Sequence, residues 1–194
     1  FYLGYLTIKE IDFGVLEFGS PNDVIRKIYS DYFLEYIKRK SGLTDEINQK
    51  DILKEILIEG KIDKLLDVLK EFLTNLSNRD YQRFDEKYVK VIFYSICRML
   101  KGLYVKSELE IGGQYADILL VPKTDIQNRY SILIEFKYIK QEDYDKDNNL
   151  LEDKQRQAKL QLESYKKSEE ITMLPKLKCY SVVVIKDKIF VKEI

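Results

Sequence analysis

The sequence predicts an α/β fold: a mixed sheet flanked by helices, preceded by a mostly helical N-terminal region. Three observations predict it. Apolar residues recur at helical spacing through much of the first 80 positions. From Tyr104 onward the pattern changes to short apolar, β-prone runs bounded by turn residues. The order of elements from residue 84 reads α-β-β-β-α-β-β, so strands and helices are interleaved along the chain.

The elements follow in order. Residues 1–8 and 15–18 are short β-prone stretches, punctuated by Gly14 and Gly19. Ser20, Pro21 and Asn22 signal a helix start. The helix over 23–38 carries a stripe of Val24, Ile25, Ile28, Tyr29, Tyr32, Phe33, Tyr36 and Ile37, which reads as core. Helices over 47–59 and 62–76 part at Gly60, and the second has Ile62, Leu65, Leu66, Leu69, Phe72, Leu73 and Leu76 on one face. A polar connection over 77–82 leads to a helix over 84–100 with Phe84, Tyr88, Val91, Ile92, Ser95, Ile96 and Met99 inward. Strands over 104–111 and 116–121 are turned by Gly112-Gly113. After a loop over 122–129 comes a third strand, 130–138. A polar, acidic loop over 141–149, a helix over 150–167 and two strands, 178–185 and 189–194, complete the chain. The boundary falls near residue 80, giving a helical 1–80 and a sheet-bearing 81–194.

Composition narrows the chemistry. The 194 residues hold 33 basic and 33 acidic side chains, a formal net charge of zero, so any nucleic-acid contact has to come from a local patch. Histidine is absent, which removes Ser-His-Asp and Cys-His nucleophile arrangements. The two cysteines, Cys97 and Cys179, lie in apolar patterns and read as buried free thiols of a reducing cytoplasm. Without histidine they cannot build an ordinary zinc site. No apolar run is long enough to cross a bilayer, and the N-terminus has no secretory pattern, so neither membrane nor export is expected. The chain opens on Phe1, which suggests a piece of a longer protein.

One constellation carries chemistry. On a strand over 132–138, Glu135 and Lys137 share one face while Ile134, Phe136 and Tyr138 take the other. Charges in so apolar a strand are costly if buried and unpaired. A salt-bridged pair on an exposed sheet face is the plain reading. Asp117, however, stands at the head of the preceding apolar strand, and a hairpin connection sets it beside Glu135. Two adjacent carboxylates repel unless a cation sits between them, and carboxylates prefer Mg²⁺ or Mn²⁺. With Lys137 to orient a water, the set is coherent for metal-assisted hydrolysis.

Asp117 followed by Glu135-Phe136-Lys137, within this order of elements, resembles the PD-(D/E)XK nuclease superfamily. The likeness extends to the branch found C-terminal to AAA-ATPase-like domains in bacterial proteins. Gly4-Tyr5-Leu6-Thr7-Ile8-Lys9 is similar to the end of that ATPase-like portion, and Pro21-Asn22-Asp23-Val24 to the start of its linking helices. Glu86-Lys87-Tyr88 resembles the opening of the first core helix; Ala158, Gln161-Leu162 and Tyr165 resemble the helix motif after Glu-x-Lys. The resemblance implies a restriction-endonuclease-like αβββαβ core. It implies that Asp117, Glu135 and the main-chain carbonyl of Phe136 bind Mg²⁺ or Mn²⁺, and that Lys137 positions water or steadies phosphate charge. It adds Glu86, acting through water, and Gln161, near the cluster or the DNA backbone. A surface ion pair with Lys90 explains Glu86 equally well.

The chain departs from the pattern in one place. Relatives often carry an arginine before the motif Asp, whereas here the segment is Gly113-Gln114-Tyr115-Ala116-Asp117. Tyr115 is left to stack on a base or pack at the cleft rim. The acidic stretch 141–153 disfavours nearby DNA; it reads as a mobile gate or a plain solvated loop. Lys123, Arg129, Lys140, Lys154, Arg156 and Lys159 are candidate DNA contacts. The alternative to a DNA-cutting enzyme is a nuclease-like fold that no longer cuts and serves an ATPase as a nucleic-acid-binding or protein-interaction module. A homodimer would suit double-strand cutting.

Overall fold

The computed structural model describes residues 7–12, 15–19, 32, 35, 46–147, 149–174 and 176–194. Strands β1 (Thr7–Asp12) and β2 (Val15–Gly19) form an antiparallel pair. Of the helix expected over 23–38, residues 32 and 35 are described and helical. Tyr32 is exposed, which corrects its place in the core stripe. The remainder of that helix, and the expected strand before Thr7, lie outside the described residues.

Helix α1 (Glu46–Lys54) runs into a π-helical turn, Glu55–Glu59, and stops at Gly60. The stop has a backbone cause. Gly60 takes φ 68°, and a Cβ there would meet the Tyr130 ring and the Lys178 stem at 2.8 Å. Helix α2 (Asp63–Thr74) buries Leu65, Leu66, Val68, Leu69, Phe72 and Leu73, the expected stripe widened by Val68. A short 3₁₀ turn, Asp80–Arg83, leads to α3 (Glu86–Met99). Asp85 caps α3, its Oδ1 accepting from the Tyr88 N–H at 3.2 Å.

The buried face of α3 keeps Ile92, Ser95, Ile96 and Met99 of the expected set and corrects two of its members. Val89, Ile92, Phe93, Ile96 and Cys97 face inward, while Tyr88 and Val91 are exposed. The i, i+3, i+4, i+7 set starts from Val89, one residue on from the exposed ring of Tyr88. The ring of Phe93 meets that of Phe136 edge-on, 4.9 Å between centroids.

The main sheet has five strands in the order β3 (Leu103–Ile111), β4 (Gln114–Pro122), β5 (Ser131–Ile139), β6 (Leu177–Ile185), β7 (Lys188–Glu193). Neighbours are antiparallel except β5 and β6, which are parallel. The parallel pair requires a crossover, supplied by α4 (Gln141–Lys146), α5 (Leu150–Tyr165) and α6 (Glu169–Thr172). Helix α4 replaces the expected acidic loop. It buries no residue, and the Gln141 side-chain amide donates to Asp145 at 2.7 Å one turn on. A helix with one half-buried aromatic, Tyr144, among charged residues offers no apolar period to read. The result is a mixed α/β, restriction-endonuclease-like fold with a helical region before it.

One face of the sheet packs on α3 and the helices before it. Ile118, Leu120, Ile132, Ile134, Phe136, Val182 and Val184 share a continuous core with Ile52, Ile56, Leu69 and Phe93. The other face packs on α5 through Leu119, Leu133, Leu162 and Tyr165. The Tyr180 hydroxyl also donates to the Gly60 carbonyl at 2.5 Å, and the Tyr130 N–H donates to Leu57 O at 3.0 Å. Both cysteines are buried and free. No described helix is long and apolar enough to cross a membrane.

Candidate active site

The site grows from the way β4 and β5 separate. Their ladder pairs Leu120 with Ile132, Leu119 with Leu133 and Ile118 with Ile134. The next step along this register sets Asp117 across from Glu135. There the side chain replaces the ladder: Asp117 Oδ2 accepts the Phe136 N–H at 2.7 Å. Asp117 is 5 % exposed and Glu135 2 % exposed, so both carboxylates lie out of solvent.

Each acid is met by a lysine. Lys137 Nζ donates to Glu135 Oε1 at 2.8 Å, within β5 and on one face as period two requires. Lys90 Nζ, from α3, donates to Asp117 Oδ1 at 2.8 Å and approaches Glu86 Oε1 at 4.0 Å. Glu135 Oε2 has no hydrogen-bond partner among the described residues. A buried carboxylate oxygen left alone is costly. Burial, with the Asp117 charge adding to it, pushes the Glu135 carboxyl up to about 7, against the opposing pull of Lys137. Burial works against the charge on Lys90, but the hydrogen bond and charge of Asp117, helped by Glu86 and Glu108, hold its amine above the ordinary value.

The donor set suits a hard divalent cation. Two buried carboxylates, one with an unpartnered oxygen, are what Mg²⁺ or Mn²⁺ would satisfy. Among the described residues no three acidic or thiol side chains are gathered tightly enough to enclose an ion as they stand. The Lys90 ammonium lies on Asp117 and reaches toward Glu86.

Sequence similarity bears on the same segment. A family model of the PD-(D/E)XK nuclease superfamily matches residues 84–194. The chain belongs to this superfamily. No curated protein matches it. The matched span opens beside Glu86 and contains every residue of the cluster.

Other members of the expected set take varied places. Glu86 stands at the first turn of α3, near enough for its charge to act on Glu135. Gln161, on α5, lies near enough to the Tyr165 hydroxyl to act on it. Tyr165 in turn donates its hydroxyl to Tyr115 O at 2.9 Å. Burial and the charges of Glu135 and Asp117 push that phenol up to about 12. Tyr115 itself is exposed. Of the basic residues singled out, Arg129 pairs with Asp125, Arg156 with Asp153 and Lys159 with Glu163, while Lys154 meets Gln157. Lys123 lies over the Tyr104 ring, and Lys140 lines a cleft with Tyr81, Tyr138 and Lys186.

Two residues of the cluster escaped the sequence reading. Lys90 reads as a surface partner of Glu86, and only the fold brings it to Asp117. Glu108 falls opposite Asp117 in the β3–β4 hairpin, between the pairs Ser107–Ile118 and Leu109–Ala116. It adopts φ 51°, a left-handed conformation that a non-glycine residue in a strand rarely takes. The two-residue Gly112-Gly113 turn fixes that register, so counting back from the turn finds Glu108.

Proposed function

We propose that residues 84–194 hydrolyse phosphodiester bonds of DNA with the help of Mg²⁺ or Mn²⁺. The observation that carries this reading is the buried, unpartnered Glu135 Oε2 beside Asp117 and next to Lys137. Asp117 and Glu135 would hold the cation, together with the Phe136 carbonyl. When bound, the cation would lower the charge on the scissile phosphate and favour deprotonation of the attacking water. Lys137 is held by Glu135 with its ammonium in reach of the same space, and its role is to orient that water and steady phosphate charge. Glu86 would complete the site through water. Gln161, beside Tyr165, would hydrogen-bond at its edge.

A second reading, a nuclease fold that binds without cutting, draws on one observation: Lys90 already occupies the Asp117 oxygen that a cation needs. The zero net charge agrees with it. An AAA-ATPase-like domain ahead of this segment, a cytoplasmic setting and a homodimer complete the proposal, the first supported by the resemblance of residues 4–9 and 21–24. The test is cleavage of plasmid and single-stranded DNA in Mg²⁺ and in Mn²⁺ by the wild type, Asp117→Asn and Lys137→Ala. Metal-dependent cutting lost in both folded variants is the expected result. No cutting by the wild type, with DNA binding retained, would move the assignment to the second reading.

A further inference from the structure

One of the two carboxylates proposed to hold a cation, Asp117, is not free to receive it. Asp117 Oδ2 is committed to the Phe136 N–H, so Oδ1 is the oxygen left for a ligand, and Lys90 Nζ holds it at 2.8 Å. We propose that Lys90 is a built-in counter-ion of the metal-free site, and that a divalent cation has to displace its ammonium from Asp117 in order to bind. This rests on the reading of Asp117 and Glu135 as cation ligands.

Geometry and charge carry the inference together. Glu86 and Asp117 come from different elements, α3 and β4, and the same ammonium approaches both. Lys90 therefore stands between two carboxylates, on the Asp117 oxygen that a cation would need. The charges around it are the carboxylates of Glu86, Glu108 and Asp117, with Glu135 across the strand gap and Lys137 beyond. The carboxylates outnumber the two ammonium groups, so the site is short of positive charge even when Glu135 holds its proton. A monovalent ion that replaces Lys90 gains nothing over it, whereas a divalent ion brings one further charge and reaches the open Glu135 Oε2. The exchange thus favours a divalent ion over a monovalent one before any geometry is considered. The lysine stem makes the movement feasible: it is flexible, and the side chain is 22 % exposed, so the displaced ammonium has a path to solvent. Once displaced, it stands at the rim of the site as a cation available to a phosphate.

The test is Mn²⁺ titration calorimetry on wild type, Lys90→Met and Lys90→Arg, with circular dichroism to confirm folding. Removing the competing ammonium should tighten Mn²⁺ binding roughly tenfold or more, while Lys90→Arg, which keeps a cation, should show no gain. Equal affinity of Lys90→Met and wild type overturns the inference and leaves the metal reading standing. No Mn²⁺ binding by either protein overturns the metal reading, and the inference with it. A second measurement needs no variant. The acetylation rate of the Lys90 amine, followed by peptide mass spectrometry in the wild type, should rise at saturating Mn²⁺ as the ammonium leaves Asp117. An unchanged or lower rate overturns the displacement.

Discussion

Glu135 is expected to destabilise the fold that carries it. Its carboxyl is 2 % exposed, one oxygen lacks a partner, and burial raises it from 4.5 to about 7. A group whose proton is held more tightly in the folded state than in the unfolded state costs stability as it ionises. Below about pH 4.5 it is protonated in both states and costs nothing. The cost grows through the window between 4.5 and 7 and is complete above it. At about 1.4 kcal/mol per unit, it reaches about 3 kcal/mol at pH 8. Glu135→Gln copies the shape of the protonated acid and can still accept from Lys137. In EDTA at pH 8 the variant should be the more stable protein by about 3 kcal/mol, or roughly 6–12 °C in Tm for a chain of this size. At pH 4.5 the difference should shrink to about 0.4 kcal/mol. Urea unfolding at both pH values reads the difference. Adding Mg²⁺ or Mn²⁺ should stabilise the wild type and leave the variant unmoved. A variant that is less stable at pH 8, or a difference that does not change with pH, would refute the argument that this carboxylate is held at a cost.

Three further outcomes follow from the same contacts. Asp117→Asn removes the charge that Lys90 faces and upsets acceptance of the Phe136 N–H, so metal-free stability at pH 7 should fall by about 2 kcal/mol in urea unfolding. Gly60→Ala forces a side chain into φ 68° and against the Tyr130 ring, so it should cost more than about 1 kcal/mol in the same assay. Tyr165→Phe loses the hydroxyl donated to Tyr115 O and should cost about 1 kcal/mol at neutral pH. Because that phenol is raised from 10 to about 12, the wild-type advantage should persist to pH 10 and shrink above it, as the unfolded tyrosine ionises first.

Much of the fold was legible because burial and period agree. The strands β4, β5 and β6 are buried on both faces and read as short apolar runs, and the stripe of α2 is nearly the one expected. The illegible parts have physical reasons. Helix α4 fully buries no residue and has a single half-buried aromatic, Tyr144, so no period betrays it. On α3 the expected Ile92, Ser95, Ile96 and Met99 are buried, but Tyr88 is large and aromatic yet lies on the surface, stacked on Phe84 at 5.7 Å between centroids. Nor does any local pattern reveal that Ile52 and Ile56 share a core with Ile132 and Val182, because such contacts join segments about 80 to 130 residues apart.

The site divides along the same line. Glu135 and Lys137 were legible because period two puts them on one face of one strand, and Asp117 because charge is out of place at the head of an apolar run. Lys90 was not, since its nearest acid in sequence, Glu86 one turn away, gives it a complete explanation as a surface pair. That local explanation holds in the structure at 4.0 Å, but the closer contact is to Asp117 at 2.8 Å, 27 residues on. A lysine one turn inside an amphipathic helix is ordinarily solvated. Here the separation of β4 from β5 opens a place for its ammonium among buried acids, and only the fold creates that place. The same separation leaves Glu135 Oε2 bare. One acid of the site is thus satisfied by the chain and one is not, and the unsatisfied oxygen is what a cation has to gain by entering.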